Sequence, residues 1–370
     1  MNKIFIAAGE ASGDTHAASL LAQLRKQLPS LEAFGLGGAE LAALECRLLY
    51  ELRDLAVTGF WEVARNLLHF RSVFNNTVAA VEAEKPDLVL LVDYPGLNLR
   101  LAKTLKEKGF RVAYYILPQV WAWKPGRIKT LEQYCDLLLA ILPFEPELFA
   151  ADRVKCEFVG HPLLDLIDAE DRQETNNSQR ALALLPGSRS VEVARHYPVM
   201  LKAAAKLSRR QSDLKIFTLR RAELEGSLYD DLEQSCGISP QSWQQDRYAL
   251  LRAATVAFVA SGTATLEAGL CGTPLCVVYR TGWLSALIAR AVLQLENVGL
   301  VNIVAGKKIV PEFLQSDLTA DNLYKFGQDI LSNRERREEM IADLGRVREK
   351  LGEPGAAQRA AGKIVEVIGP

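Results

Sequence analysis

Short apolar segments alternate with amphipathic stretches along most of the chain, and this alternation constrains the fold more than any other feature. Segments such as KIFIAA (3–8) and DLVLLV (87–92) have the composition of buried strands, and each is followed by residues with helical periodicity. Repeated β-α units of this kind form a parallel sheet with helices on both faces. The sequence therefore predicts a doubly wound α/β architecture.

The same pattern is found in both halves of the chain. Further strands are predicted at 111–116, 136–141, 181–185, 214–218, 255–259 and 274–279, and helices at 14–27, 97–108 and 126–134, with consecutive helices from about residue 318. A chain of 370 residues is long for one core. We therefore expect two Rossmann-like domains that face each other across a cleft.

A polar stretch separates the two halves and sets the expected domain boundaries. We predict a first domain over 1–165, a linker over 166–180 and a second domain over 181–350. The last segment, 351–370, has an apolar helical face after a Gly-Glu-Pro-Gly break. By analogy with other two-Rossmann transferases, this helix is expected to return to the first domain.

Composition excludes several classes of function. The 44 Lys and Arg residues nearly balance the 45 Asp and Glu residues, so no overall field attracts nucleic acid. The six cysteines include no C-x-x-C pair, which fits a reducing cytoplasm. No apolar run reaches the ~20 residues of a membrane span, and no His, Cys and Asp cluster has metal-ligand spacing. We expect a cytoplasmic protein without metal or cofactor that meets a membrane only at its surface.

Ligands of open parallel sheets bind at the carboxyl ends of the strands, so the residues that follow each strand are the first candidates. After the first strand, Glu10, Ser12 and Gly13 lie in a glycine-bracketed loop that suits sugar hydroxyls, with Glu10 at a buried edge. The alternative is a tight turn in which Ser12 or Asp14 caps the next helix. The loop lacks the G-x-G-x-x-G spacing of a dinucleotide site.

Asp93 directly follows the strand LVLLV and precedes a Pro-Gly turn. A carboxylate fixed there is well placed to deprotonate an attacking alcohol, although capping of the next helix or turn is an alternative. The segment PQVWAW (118–123) follows another strand, and its tryptophans either anchor the loop in the core or face a sugar or acyl group. Gln119 and Lys124 are polar contact candidates. His161, in contrast, is interpreted as a turn residue satisfied by the backbone.

Two strand-to-helix turns of the second half suit a nucleotide diphosphate. In the first, Gly187 permits close approach of a phosphate, Ser188 is expected to cap the helix, and Arg189 supplies a bidentate cation. In the second, Ser261, Gly262 and Thr263 leave a helix N-terminus open to phosphate, and Glu267 can accept ribose hydroxyls. A capping box at Thr263 is the alternative for part of this pattern.

Residues 57–74 combine aromatic and apolar side chains at helical spacing with basic ones. An ordinary helix packed on the first sheet explains the spacing. The aromatic start also suits a helix that enters a lipid interface, with Phe60, Trp61, Leu67 and Leu68 as the interfacial residues.

Several segments, in order along almost the whole chain, closely resemble the lipid A disaccharide synthase family: GEASGD (9–14), Asp93 with Pro95 and Asn98, PQVWAW (118–123), LPFE (142–145), FVGHPLLD (158–165), LPGSR (185–189), SGTATLE (261–267), and Asn302 followed by PEFLQ (311–315). The resemblance implies a GT-B glycosyltransferase that needs no divalent metal. It also implies transfer of 2,3-diacylglucosamine from UDP to the 6-hydroxyl of 2,3-diacylglucosamine 1-phosphate. The products are a β(1→6) disaccharide and UDP.

Residue by residue, the resemblance makes Asp93 the base and places Glu10 and Ser12, with Gly13, Asn98 and Gln119, at the acceptor or the reacting sugar. Arg189, Glu267 and Asn302 would hold UDP. Ser190 stands where relatives can have a second arginine, which suggests one cation fewer at the diphosphate. The implied location is the cytoplasmic face of the inner membrane, and a homodimer is left open.

Four alternatives remain at this point. Two are sugar-nucleotide enzymes of the same architecture, namely a transferase that uses UDP-GlcNAc on a polyprenyl carrier and a UDP-sugar epimerase. A third is a non-catalytic nucleotide-sugar-binding protein in which Asp93 is structural. A dehydrogenase is disfavoured because the dinucleotide fingerprint is missing.

Overall fold

The computed structural model describes residues 2–55, 62–121, 126–169, 180–244, 246–281 and 297–369, except the side chains of residues 53, 55, 62–68 and 169. The chain divides into two compact units. Unit 1 comprises Met1–Asp165 and Glu353–Pro370, and unit 2 comprises Leu166–Gly352. Each unit is built around its own parallel sheet, as the sequence predicts.

Unit 1 contains a seven-stranded sheet in the order β3-β2-β1-β4-β5-β6-β7, with every neighbouring pair parallel. Its strands are β1 (Lys3–Ala8), β2 (Glu32–Gly37), β3 (Arg47–Glu51), β4 (Leu88–Val92), β5 (Val112–Tyr115), β6 (Leu137–Ala140) and β7 (Lys155–Phe158). Its helices are α1 (Ala11–Gln27), α2 (Ala39–Ala43), α3 (Leu52–Leu55), α4 (Glu62–Glu84), α5 (Pro95–Glu107) and α6 (Gly126–Tyr134), and a 3-10 turn spans Pro146–Leu148.

The central strands of this sheet are apolar throughout because helices cover both faces. All five residues of β4 are fully buried. Alternate side chains enter two separate cores: Leu91 packs in the core under α4, α5 and α6, whereas Leu90 packs in the core under α1. Replacing either leucine by alanine should cost about 2–5 kcal/mol of unfolding free energy.

Unit 2 contains a six-stranded parallel sheet in the order β10-β9-β8-β11-β12-β13. Helix α7 (Leu163–Ala169) leads into it and overlaps the expected linker, of which residues 170–179 lie outside the description. Its strands are β8 (Ala181–Leu185), β9 (Lys215–Leu219), β10 (Gln241–Trp243), β11 (Val256–Ala260), β12 (Leu275–Tyr279) and β13 (Glu312–Leu314). Its further helices are α8 (Ser190–Arg210), α9 (Gly226–Cys236), α10 (Arg247–Ala253), α11 (Thr263–Leu270), α12 (Leu300–Ala305), α13 (Ala320–Ser332) and α14 (Arg334–Lys350), with a 3-10 turn at Gln315–Asp317.

The last helix, α15 (Ala356–Ile368), belongs to unit 1, so the predicted return to the first domain is confirmed. It packs against α1 through Ala360, Ala361 and Ile364, which are fully buried in the core of that face. The small alanines allow the two helix backbones to approach closely. Arg359 fixes the start of the helix, because its guanidinium donates to the carbonyl oxygens of Val159 and Pro354, both at 2.8 Å.

Both sheets have the strand order of Rossmann-type folds, which reverses direction in the middle of the sheet. The reversal lies between β1 and β4 in unit 1 and between β8 and β11 in unit 2. The loops after these four strands therefore flank the crevices where such sheets bind ligands.

Candidate active site

In unit 1, the turn after β4 holds two consecutive non-glycine residues in left-handed backbone conformations. The φ angle is 48° at Asp93 and 46° at Tyr94. This conformation costs about 1–2 kcal/mol per residue, so the surrounding structure must stabilise it. The Asp93 carbonyl oxygen accepts hydrogen bonds from the Tyr114 hydroxyl at 2.6 Å and from Asn98 Nδ2 at 2.8 Å. These two donors fix the direction in which the Asp93 side chain leaves the sheet.

The Asp93 carboxyl has the properties of a general base. Its pKa is raised to about 6: burial is the largest cause, the carboxylate of Glu10 acts in the same direction, and a hydrogen bond from the backbone N–H of Tyr94 acts in the opposite direction. A base with a pKa just below the working pH is ionised yet still basic enough to accept a proton. The alternative that Asp93 caps helix α5 is wrong, because the N-cap residue is Tyr94 and no side chain caps this helix.

Asn98 does not face a ligand, which corrects the prediction that it binds the acceptor or the sugar. It is 1% exposed, and its amide nitrogen lies 3.2 Å from the carbonyl oxygens of Ala7 and Val92 as well as 2.8 Å from that of Asp93. The side chain therefore ties the ends of β1 and β4 to the Asp93 turn. Asn98 is a positioning residue for Asp93.

The glycine-bracketed loop after β1 is also rearranged relative to expectation. Glu10 and Ser12 are exposed, so the buried edge predicted for Glu10 is wrong. Gly13 is buried against Ala8 and Val92. It packs α1 on the sheet and does not face a sugar site, which corrects its prediction as a sugar-binding residue. Neither Ser12 nor Asp14 caps α1, whose N-cap is Glu10 without a side-chain bond.

Asp14 instead caps a different helix. Its buried carboxylate accepts hydrogen bonds from the backbone N–H groups of Gly38, at 2.7 Å, and Glu40, at 3.0 Å, where α2 begins. Gly9 lies under the ring of Tyr94, since a Cβ there would be 2.1 Å from Tyr94 Cδ1. The glycine therefore permits the contact between the first loop and the Asp93 turn.

The structure describes part of the predicted loop after β5, which contains the segment PQVWAW (118–123). Gln119 is exposed and stays a candidate contact, and Trp121 packs edge to face on Phe144 with ring centroids 5.6 Å apart. Trp121 and Phe144 are both half-buried, so this contact holds Trp121 against the protein without burying it in the core, and the two alternatives for this tryptophan stay open. Trp123 and Lys124 lie outside the described residues. His161 accepts a hydrogen bond from the backbone N–H of Leu163 at 3.2 Å, which confirms its interpretation as a turn residue.

Unit 2 contains a pocket of about 220 Å³ at the carboxyl ends of β8, β9 and β11. Its lining includes six of the predicted nucleotide-binding residues, namely Gly187, Ser188, Ser261, Gly262, Thr263 and Glu267. It also includes two arginines that sequence reasoning missed, Arg221 and Arg247. Arg221 follows β9 within two residues, so the rule that ligands meet strand ends would have found it.

The start of α11 is an open anion site. Its N-cap is Gly262, with φ 144°, and no side chain caps the helix, so the capping box proposed for Thr263 is absent. The Ser261 hydroxyl donates to the Val298 carbonyl at 3.2 Å, which fixes the turn from below. Uncapped N–H groups and the helix dipole together favour a phosphate at this end.

The start of α8 is less free. Ser188 does not cap the helix, because the N-cap is Arg189 and no side-chain cap bond is formed. Instead, Glu192 Oε2 accepts the backbone N–H of Ser188 at 3.0 Å, and the exposed Arg189 guanidinium lies 3.6 Å from the same carboxylate. A phosphate at this turn would compete with Glu192. The start of α11 is therefore the more accessible of the two helix starts, and Arg221 and Arg247 add two cations to the lining of the same pocket.

Glu267 lies one turn into α11 and is 6% exposed. Burial raises the pKa of its carboxyl, whereas Arg247 and Arg221 lower it. Arg247 Nη1 lies 3.1 Å from Glu267 Oε1. This ion pair keeps the carboxylate in place at the pocket wall, where its lone pairs can accept hydrogen bonds from a vicinal diol such as ribose.

Asn302 does not reach this pocket, and the prediction that its side chain holds UDP is corrected. It is fully buried, its Nδ2 donates to Val310 O and Glu312 Oε1, and its Oδ1 accepts from the N–H groups of Ile309 and Val310, all between 2.9 and 3.0 Å. Every hydrogen-bonding position of the amide is used. Asn302 therefore ties α12 to β13.

The predicted interfacial segment falls largely outside the description. Phe60 and Trp61 are not described, and Leu67 and Leu68 lie in α4 without described side chains. Among the described helices, none is long and apolar enough to cross a membrane. Within the same residues, no group of three His, Cys, Asp or Glu side chains is placed to hold a metal ion.

Solved structures with similar folds define the class. The chain matches a putative UDP-N-acetylglucosamine 2-epimerase from Listeria monocytogenes with a TM-score of 0.68, 16% identity and coverage of 98% of this chain and 96% of that one. It matches Acinetobacter baumannii MurG with a TM-score of 0.60, 15% identity and 99% coverage of both chains. The fold is that of the GT-B class, two Rossmann-like units with ligand-binding strand ends.

Sequence comparisons identify the family within that class. The family model LpxB, lipid-A-disaccharide synthetase, matches residues 4–366. The chain is 38% identical to the lipid-A-disaccharide synthase of Myxococcus xanthus over 100% of this chain and 98% of that protein, and 41% identical to that of Syntrophus aciditrophicus over 99% and 97%. The chain belongs to the lipid-A-disaccharide synthetase family, and it is a glycosyltransferase of lipid A disaccharide synthesis.

Proposed function

We propose that the chain transfers 2,3-diacylglucosamine from UDP to the 6-hydroxyl of 2,3-diacylglucosamine 1-phosphate, with inversion at the transferred carbon. The products are the β(1→6) disaccharide 1-phosphate and UDP. The observation that carries the proposal is the carboxyl of Asp93, which is held in a strained turn at the strand-order reversal and has its pKa raised to about 6.

In the proposed reaction, an Asp93 carboxylate oxygen accepts the proton of the acceptor 6-hydroxyl. The oxygen of that 6-hydroxyl attacks C1 of the donor sugar while the bond from C1 to the UDP oxygen breaks, and UDP leaves with the electron pair. A single displacement inverts the configuration at C1. A positioned base of this kind contributes about 10²–10⁴-fold to the rate.

The donor nucleotide is assigned to unit 2. Charge that develops on the diphosphate as C1–O breaks is stabilised by the uncapped start of α11 and by Arg221 and Arg247. Glu267 accepts the ribose hydroxyls and is held for this by Arg247. Arg189, which is exposed, stays a candidate for a phosphate contact. Since the base belongs to unit 1, the reaction requires residues of both units.

We also propose that the enzyme works at the cytoplasmic face of the inner membrane, because both substrates carry acyl chains that partition into lipid. The family membership supports a lipid A precursor as substrate. The predicted interfacial residues Phe60, Trp61, Leu67 and Leu68 would contribute to this contact.

Product analysis tests the proposal. The purified enzyme is incubated with UDP-2,3-diacylglucosamine and 2,3-diacylglucosamine 1-phosphate in detergent micelles, with and without EDTA. We expect equimolar disaccharide and UDP, a β anomeric coupling in the NMR spectrum, and the same rate with EDTA. Conversion of the donor to an epimer, or absence of disaccharide, would contradict the proposed reaction, and loss of activity with EDTA would contradict a metal-free mechanism.

A further inference from the structure

Unit 1 contains a second concave surface beside the Asp93 turn, with a volume of about 640 Å³. One wall comes from α4 and the other from residues 94–100, which include the start of α5. We call it the Arg71–Arg100 groove. Phe70, Phe74, Tyr94 and Leu97 form its apolar part, and Arg71 and Arg100 supply its charge.

The groove is amphipathic with a single sign of charge. Among the residues whose side chains are described, no acidic one lines it, and both guanidiniums belong to exposed residues. Across the described part of the chain, neither Arg71 nor Arg100 has a carboxylate within 4.0 Å, although several other surface arginines, such as Arg47 and Arg153, do form ion pairs. Two uncompensated guanidiniums beside an aromatic surface are complementary to a ligand that is both acylated and anionic.

The groove is also continuous with the catalytic turn. Tyr94, which lines it, is the residue after Asp93, and its ring rests on Gly9 of the first loop. A ligand in the groove therefore lies beside the turn that carries Asp93, where the substrate whose hydroxyl Asp93 deprotonates has to bind.

We propose that the Arg71–Arg100 groove binds the acceptor, with one acyl chain against Phe70, Phe74 and Leu97 and the 1-phosphate between the two guanidiniums. This inference rests on the proposed function, because it takes the acylated sugar phosphate as acceptor. It explains how the enzyme distinguishes its two substrates: the acceptor carries a terminal phosphate monoester, whereas the phosphates of the donor are bound in unit 2. Arg71 and Arg100 determine acceptor specificity and take no part in proton transfer.

The test compares 2,3-diacylglucosamine 1-phosphate with the same sugar lacking the phosphate, both in neutral detergent micelles. For Arg71→Ala and for Arg100→Ala, kcat/KM with the phosphorylated acceptor should fall about 10- to 100-fold, the range for a lost hydrogen bond to a charged group. The rate with the unphosphorylated acceptor and the KM for the UDP-sugar should stay unchanged. Lys103→Ala is the matched control, because Lys103 lies one turn further along α5 and is placed near Glu107 and the Tyr134 ring.

Equal losses with both acceptors would overturn the inference, because the arginines would then act through the fold rather than through the phosphate. Unchanged rates with both would overturn it as well. If the variants lose activity only on vesicles of anionic lipid and not in neutral micelles, the arginines serve membrane attachment and the inference fails. Each of these results leaves disaccharide formation by the unaltered enzyme intact, whereas absence of product from that enzyme refutes the proposed function itself.

A separate variant, Phe70→Ala, tests whether the apolar part of the groove binds an acyl chain. Phe70 lines the groove without belonging to the hydrophobic core, whereas Val73 on the same helix is 1% exposed and holds α4 to the sheet. We expect Phe70→Ala to raise the KM of a long-chain acceptor about 10-fold and to change that of a short-chain acceptor little. Equal changes for both chain lengths would exclude an acyl chain from this surface.

Discussion

The acid side of the pH–rate profile is the most quantitative consequence of the structure. An ordinary aspartate carboxyl titrates at 3.8, whereas burial and Glu10 raise the pKa of Asp93 to about 6. The difference corresponds to roughly 3 kcal/mol that disfavour the carboxylate. As the base must be ionised, about nine-tenths of the enzyme is active at pH 7 and about one-tenth at pH 5. The rate should therefore fall with unit slope below a midpoint of about pH 6.

Replacement of Glu10 by glutamine removes one of the two causes that raise the pKa of Asp93, the negative charge of Glu10. Glu10 is exposed, and an exposed carboxylate several ångströms away typically changes the pKa of a neighbour by about half a unit. We expect the midpoint for Glu10→Gln to move to lower pH by about that amount and the effect to shrink in high salt. The midpoint should stay well above 4, because burial is the larger cause and remains.

The assay must distinguish titration of Asp93 from titration of the acceptor, because a phosphate monoester also titrates near pH 6. A midpoint that belongs to the acceptor does not move when Glu10 is changed, whereas one that belongs to Asp93 does. Glu82→Gln is the control, since Glu82 is an exposed residue paired with Lys108 near the end of α4. A midpoint near pH 4, or one that rises in Glu10→Gln, would refute the assignment.

Two further predictions concern Asn302 and Gly9, whose structural roles follow from their contacts. Asn302→Ala should lower the free energy of unfolding by about 3–5 kcal/mol in chemical denaturation, because it leaves buried N–H groups unpaired. The control is Asn75→Ala, at an exposed position of α4, which should change the free energy of unfolding by less than about 0.5 kcal/mol. Gly9→Ala should lower kcat at least about 10-fold with little change in donor KM, because the new Cβ displaces the Tyr94 ring and with it the Asp93 turn. Gly362→Ala in α15, which has open space around it, should leave kcat unchanged, and equal effects of the two glycine variants would contradict this reasoning.

Continuous apolar runs made the central strands predictable, but the outer strands lack this signal. Both faces of β4 are covered, so every residue is apolar, whereas β3 and β7 lie at sheet edges, where burial is partial. The missed strand β2 contains Gly35 at its centre, which weakens its strand pattern. The structure gives the reason for this glycine: a Cβ would lie 1.7 Å from the Ile6 carbonyl oxygen of β1.

For the site, strand ends were a good guide to location and a poor guide to side-chain direction. Asp93 and the start of α11 lie where the parallel-sheet rule places them. Asn98 and Asn302 were also predicted to contact ligands, yet their side-chain amides point into the protein and donate to buried carbonyl groups. Sequence alone does not distinguish an amide that serves the backbone from one that meets a ligand. Glu192, three residues after the N-cap Arg189, is the position from which a glutamate can bond back to the start of a helix, so the sequence did indicate that its carboxylate takes up an N–H group there.

The central claim is that Asp93 deprotonates the acceptor hydroxyl, and Asp93→Asn tests it most directly. The substitution keeps the shape of the side chain and leaves the backbone carbonyl that holds the turn unchanged. We predict that disaccharide formation falls by about 10²–10⁴-fold while UDP binding, measured by calorimetry, and the thermal unfolding temperature stay the same. Turnover close to that of the unaltered enzyme would contradict the claim.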